Sequence, residues 1–168
     1  MEYALLAKCA LLAECTLLAK CTLHPEYALP MELTAALEFA AHHSETLLTT
    51  LRRDGRPQQS VVNYLLDGNT FTISITDTRA KTRNLRRDPR AALWVAGSGP
   101  YEWVSFDGTV SLSPVATSPD DATCDALVDY YRLAAGEHEN WEEYREAMVA
   151  DGRLLARFTA TSATGMLS

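Results

Sequence analysis

The seven residues Thr70–Thr76, TFTISIT, constrain this chain more than any other stretch. Apolar and hydroxyl side chains alternate without a break. Only an extended strand, with its side-chain period of two, puts Phe71, Ile73 and Ile75 on one face and Thr70, Thr72, Ser74 and Thr76 on the other. One face belongs to a core, and the opposite row of hydroxyls faces solvent or lines a polar pocket. Such a strand needs partners, and the sequence supplies them at hairpin spacing. Residues 46–53 and 58–66 read as strands joined by the turn pair Asp54-Gly55, and Asp67-Gly68-Asn69 leads the second of them back into Thr70–Thr76. Residues 91–96, 102–113 and 153–161 complete a set of six strands, with Asp107-Gly108 as a turn or bulge.

Helical periodicity occupies the gaps. Residues 32–42 place Leu33, Leu37 and Ala40 or Ala41 on one face, and residues 79–87 form a basic helix that must stop near Asp88, ahead of Pro89. Pro119-Asp120-Asp121 opens a third helix, running to about residue 135, where Gly136 ends it. A fourth covers 140–151 with Gly152 as its stop. Strands at hairpin spacing with helices gathered late argue for an α+β barrel and against a parallel doubly wound sheet. The late acidic helices read as a solvated cover for one barrel end, or as a gate to it.

The formal net charge of −7 over 168 residues argues against a general binder of nucleic acid or anionic membrane. It is unevenly spread. Residues 79–90 carry six bases (Arg79, Lys81, Arg83, Arg86, Arg87, Arg90) against Asp88, a local +5, whereas residues 117–152 carry ten acids against Arg132 and Arg145, a local −8. A basic island in an acidic chain points to a small anionic ligand. No apolar run is long enough to cross a bilayer. Of the four cysteines, Cys9, Cys15 and Cys21 lie in a hexad-repeat stretch (ALLAKC, ALLAEC, TLLAKC) and only Cys124 lies in the body. That is no disulfide framework, and a reducing, cytoplasmic setting is expected. The hexad repeat turns successive cysteines to different sides of a helix. Residues 1–30 are accordingly expected to be a leader outside the fold, non-native, disordered or helical, with 31–168 as the single domain.

Several chemistries have no support. The histidines His24, His42, His43 and His138 show no metal-ligand spacing, and neither a G-x-S-x-G elbow nor a G-x-x-x-x-G-K-[ST] loop occurs. What remains is the hydroxyl face of Thr70–Thr76 leading into the basic helix: Ser74, Thr76, Arg79, Lys81, Thr82, Arg83 and Asn84. A helix start offers free N–H groups, and Arg and Lys beside it add charge, so this is a phosphate site or simply a solvated basic face.

These residues also carry a resemblance. DGRPQQS (54–60), SITDTRAKTRNLRRDPR (74–90), FDGTV (106–110) and AGEHxxWxxYRxAM (135–148) are similar to the pyridoxamine-phosphate-oxidase-like split-barrel superfamily, and closest to its actinobacterial deazaflavin (coenzyme F-420)-dependent oxidoreductases. The resemblance spans roughly 43–166. It implies a six-stranded antiparallel split β-barrel with peripheral helices, dimerising with a second copy of itself and holding two cofactor sites at the interface. It implies that Ser74, Ile75, Thr76, Arg79, Lys81 and Thr82 hold the cofactor's phosphate and acidic tail. Gln58, Ser60 and Asn63, on the preceding strand, would lie near the ring, and Trp103, Val104 and Ser105 would approach from the next strand, of the same or of the partner subunit. The implied activity is hydride transfer from reduced coenzyme F-420 to a small organic acceptor. Loops at 97–101 and 136–140 would build the acceptor pocket, and no side chain is singled out as catalytic. The alternatives within the superfamily are an FMN-binding flavoprotein and a non-catalytic cofactor-binding protein.

Overall fold

The computed structural model describes residues 29–99 and 101–167. The expected leader falls largely outside them. Chain order is β1 (Leu29–Met31), α1 (Leu33–Ala40), β2 (Glu45–Leu51), β3 (Pro57–Asn63), β4 (Leu65–Asp67), β5 (Thr70–Thr76), α2 (Ala80–Arg87), β6 (Arg90–Ala96), β7 (Trp103–Leu112), α3 (Ala122–Ala135), α4 (Trp141–Ala150) and β8 (Arg153–Met166). All strand pairings are antiparallel, and the sheet runs β3-β2-β6-β7-β8-β5-β4 with β1 added on β8.

The α+β class and antiparallel architecture agree with the expectation, but the strand number does not: among the described residues eight strands replace the expected six. Two causes account for the difference. The stretch read as one strand, 58–66, breaks at Tyr64, whose N–H donates to the Ser44 carbonyl (2.9 Å) and whose hydroxyl donates to the Ala40 carbonyl (2.7 Å). That anchoring turns the chain out of the β2 ladder and leaves Leu65–Asp67 to pair with β5 instead. The second cause is β1, three residues without sequence periodicity, which pairs with the far end of β8 at Gly165, Thr164 and Ala163. β8 therefore continues to Met166 rather than ending at Thr161.

The turns behave as their residues dictate. Gly55 and Gly68 adopt φ of 81° and 56°, where a side chain is strained. Gly108 serves another purpose. It sits at a register shift in the β7–β8 ladder, and a Cβ there would stand 2.2 Å from the Thr159 carbonyl oxygen. Only glycine lets the two backbones approach at this bulge.

The core forms where the alternation points. Phe71, Ile73 and Ile75 are fully buried with Leu48, Leu93, Val95, Phe106 and Phe158, and the Phe71 ring centroid lies 5.0 Å from Phe106 and 5.8 Å from Phe158. β8 is buried on both sides at its start, Leu154–Ala156. Leu154 faces this barrel core, whereas Leu155 joins Cys124, Leu127, Val128 and Tyr144 in a smaller cluster under α3 and α4. The late helices are thus packed onto the barrel through β8.

Candidate functional site

The barrel is split between β3 and β5, which lie side by side without pairing in a ladder. A cleft of about 520 Å³ occupies the split. β3 contributes Gln58 and Ser60, β5 contributes Ser74, Ile75 and Thr76, the start of α2 contributes Arg79, Ala80 and Lys81, and β8 contributes Arg153. Ile75 is buried, so it offers the cleft its backbone, while Ser74 and Thr76 present the hydroxyl face.

Five of the six bases in the run sort into two sets, and Arg83 is exposed. Arg86 pairs with Asp77, Arg90 pairs with Asp88 (2.7 Å), and Arg87 donates to the Leu51 carbonyl and the Asn84 amide oxygen. These tie the helix to its surroundings. Among the described residues no carboxylate pairs with Arg79 or Lys81. The Lys81 ammonium is held below the ordinary lysine range, first by burial and then by the charges of Arg79 and Arg153. Arg153 has Asp151 as its partner, at 3.3 Å. Three cations thus converge beside the α2 start, where Arg79 supplies no side-chain cap and the first helical N–H groups remain available.

A buried relay fixes the opposite wall. Asn84, 7% exposed, donates its amide N–H to the Thr50 hydroxyl (3.1 Å), and Thr50 in turn donates to Gln58 Oε1 (3.2 Å). Gln58 Nε2 then donates to the Ser60 Oγ (2.8 Å). The direction of the relay leaves the Ser60 hydroxyl hydrogen free to point into the cleft. Thr82 plays a different part from the one expected of it. It is fully buried and its hydroxyl donates to the Thr76 carbonyl (2.7 Å), fastening the helix start to β5 without lining the cleft.

A second cleft, of about 500 Å³, shares Ser74, Lys81 and Arg153 with the first. Its far wall is aromatic: Tyr130 and Tyr131 from α3, Tyr144 and Met148 from α4, facing Val61 and Asn63 of β3. Tyr131 is held edge-on by Tyr144 (5.0 Å), His138 (5.3 Å) and Trp141 (5.8 Å), and Arg132 lies 4.7 Å over the Trp141 ring. The Tyr130 hydroxyl donates to the Asn63 carbonyl (3.4 Å), and burial raises its pKa.

Nine of the twelve expected site residues lie around this groove: Gln58, Ser60, Ser74, Ile75, Thr76, Arg79 and Lys81 in the cation-lined cleft, Asn63 in the aromatic one, and Thr82 just beneath; Gln58 and Ser60, expected beside the ring, thus sit with the cations instead. Trp103, Val104 and Ser105 line neither cleft. Val104 is fully buried in the core, and Trp103 and Ser105 lie half-buried on the other face of β7. Arg153 and the tyrosines were missed by sequence reasoning. Arg153 reads only as the first residue of a strand, but that strand pairs it with Thr76. The tyrosines sit on helices whose acidity suggested a solvated cover. The available signal was the adjacent Tyr130-Tyr131 and the i, i+3 spacing of Trp141 and Tyr144, an aromatic face no solvated helix needs.

Comparison with known proteins places this geometry in context. The sequence profile described as pyridoxamine 5'-phosphate oxidase matches residues 33–164. Among solved structures, a conserved hypothetical protein of Mycobacterium tuberculosis superposes with a TM-score of 0.61 at 20% identity, over 80% of this chain and 84% of that one. A protein described as an F420 reductase gives 0.55 at 26% identity, over 80% of this chain and 98% of its own. A putative pyridoxamine 5'-phosphate oxidase of Listeria innocua gives 0.57 at 17% identity, over 81% and 96%.

Proposed function

The chain belongs to the pyridoxamine 5'-phosphate oxidase family, and on that footing we propose that it is a deazaflavin (coenzyme F-420)-dependent oxidoreductase that transfers hydride to a small organic acceptor. The observation that carries this reading is the cation-lined cleft. Arg79 and Lys81 have no carboxylate partner among the described residues, and the Lys81 ammonium is depressed first by burial and then by the neighbouring charges of Arg79 and Arg153. An anionic phosphate with an acidic tail supplies a counter-charge, with Arg79 able to bind it bidentately and Lys81 acting as a point charge.

The adjoining aromatic cleft fits the other end of such a cofactor. A planar ring would lie between Val61 and Asn63 on one side and Tyr130 and Tyr131 on the other, reached from the tail site along Ser74 and Lys81. The cofactor supplies the hydride chemistry when bound. The chain's residues do the rest: Arg79, Lys81, Arg153 and the α2 start hold the tail, the Asn84–Thr50–Gln58 relay aims Ser60 at it, and the tyrosine wall keeps water from the ring. The likeness to the F420 reductase favours a deazaflavin over FMN.

A homodimer would use the sheet's outer face. Val61, Leu47 and Trp94 lie directly opposite one another on β3, β2 and β6, and Trp103 faces Met166 across β7 and β8. Val61 is 63% exposed and Trp94 40%, an apolar row that a second copy would cover. Val61 belongs to both this face and the aromatic cleft, so dimerisation would help close the site.

Parallel fluorescence titrations with oxidised coenzyme F-420 and with FMN test the assignment. The expected result is micromolar or tighter binding of the deazaflavin and at least tenfold weaker binding of FMN. Preference for FMN would make the protein a flavoprotein on the same fold, and binding of neither would overturn the reading.

A further inference from the structure

The two late helices carry a core of their own. Cys124, Leu127 and Val128 of α3 and Tyr144 of α4 are buried together, and of the buried members of this cluster only Ala116 and Leu155 lie outside the pair. Within it the Tyr144 hydroxyl donates to the Leu127 carbonyl (3.1 Å), and Arg145 pairs with Asp125 (2.7 Å). The pair therefore holds together as a unit. We propose that α3 and α4 form a hinged flap over the groove, with the Tyr130 hydroxyl as its latch. What passes beneath the flap rests on the cofactor reading above, whereas its motion does not.

Both ends of the flap leave the barrel at one place. The chain enters it through 113–121 and returns through Gly152, and the two stems meet on the first residues of β8. The Ser113 N–H donates to the Leu155 carbonyl (2.9 Å), the Ala116 N–H to the Arg153 carbonyl (2.8 Å), and the Leu155 N–H to the Ser113 Oγ (2.9 Å). Two attachments side by side on one strand end define an axis. A rigid pair can turn about it through a few changed dihedrals in the stems.

The latch stands away from that axis. The α3 residues that line the groove, Tyr130, Tyr131, Leu133 and Ala134, all fall in the second half of the helix. Tyr130 is about 13 Å along it from the N-cap Asp121. These residues face β3 and β4 across two spaces, the aromatic cleft of about 500 Å³ and a third cleft of about 450 Å³ that continues it toward Leu65 and Leu66. Tyr130 borders both. Its hydroxyl donates to the Asn63 carbonyl (3.4 Å) and is met by the Ser74 backbone N–H. Among the described residues no other side-chain hydrogen bond or ion pair joins α3 or α4 to β3, β4 or β5. One phenol thus holds the flap down across the middle of the groove, and its release joins the two spaces. No described residue of the 97–101 and 136–140 turns, expected from the resemblance to build the acceptor pocket, lines either space.

Distances across the groove test the flap with no ligand present. Asp67→Cys on the wall and Leu133→Cys on the flap, both at exposed positions, carry nitroxide labels. Cys9, Cys15 and Cys21 are replaced by serine, Cys124 is buried, and dilution into unlabelled chain restricts the readout to pairs within one chain. Pulsed dipolar spectra are expected to hold two separations. Tyr130→Phe should raise the ratio of the longer to the shorter about fivefold, the worth of one neutral hydrogen bond. A single separation that Tyr130→Phe leaves in place would overturn the proposal. Stopped-flow binding of oxidised coenzyme F-420 gives a second readout. Tyr130→Phe should raise the association and dissociation rates together, because a latch slows passage in both directions. A rise in dissociation alone would make Tyr130 a ligand contact and not a latch. Failure of coenzyme F-420 to bind, with both separations and their response to Tyr130→Phe intact, would strike the cofactor reading and leave the flap standing.

Discussion

Lys81 shows how much one residue's surroundings reveal. Its ammonium is depressed by burial first and by Arg79 and Arg153 second, so the folded chain holds that proton less tightly than the unfolded chain does. Stability of the ligand-free protein should therefore rise with pH between the lowered Lys81 value and the ordinary lysine value near 10.4. A bound anion restores the proton's affinity and flattens that rise. Urea midpoints across this range, with and without coenzyme F-420, check the sign, and a ligand-free midpoint that falls through the window would contradict it. Thr50 is the second informative residue. Thr50→Val keeps shape but strands the Asn84 amide in a buried site, at a cost of about 1–3 kcal/mol. It also frees Gln58 to turn, so cofactor affinity should fall along with the denaturation midpoint. A loss of stability with affinity untouched would show that the relay does not position Ser60.

Among the elements, α3 carries the tyrosine wall and depends on its first turn. The Asp121 carboxylate accepts from the Cys124 N–H (2.8 Å) and from the Thr117 N–H (2.7 Å) and Ser118 N–H (3.1 Å), and these bonds, Thr117 foremost, hold its pKa down to about 2. Asp121→Ala should cost about 1 kcal/mol, read from thermal or urea denaturation. A depressed carboxylate stabilises only while ionised. Its contribution is complete above about pH 4 and should fade as pH falls toward 2, a dependence that Asp121→Ala should lack. Most of the elements were legible in the sequence because each announces itself locally. Thr70–Thr76 is bounded as its alternation says, α2 ends at Arg87 with Asp88 as its cap ahead of Pro89, and α3 opens directly after Pro119-Asp120-Asp121, with Asp121 as its N-cap. What escaped depends on contacts distant in sequence. The break at Tyr64 is made by Ala40 and Ser44, β1 exists only because β8 offers an edge, and Arg153 reaches the cleft through its cross-strand neighbour Thr76. No local period encodes such partners.

At the scale of the whole molecule, a split sheet gathers opposed charges without mixing them. The basic residues line the split between β3 and β5, and the acidic helices cover β8 while turning their aromatic side to the same groove. Closing that groove is the role proposed for a second copy. The intact chain should sediment as a dimer, and Trp94→Glu, which places a charge in the exposed apolar row, should shift it to monomer and weaken cofactor binding. A monomeric wild-type chain that still binds the cofactor would remove the dimer from the account. The central claim is that the unpaired cations of the split hold an anionic cofactor tail, and its most direct test is the dissociation constant of coenzyme F-420 for Lys81→Ala against the unmodified chain. Loss of one charge-assisted bond, about 1.5–3 kcal/mol, predicts at least a tenfold rise, whereas an unchanged constant would contradict it.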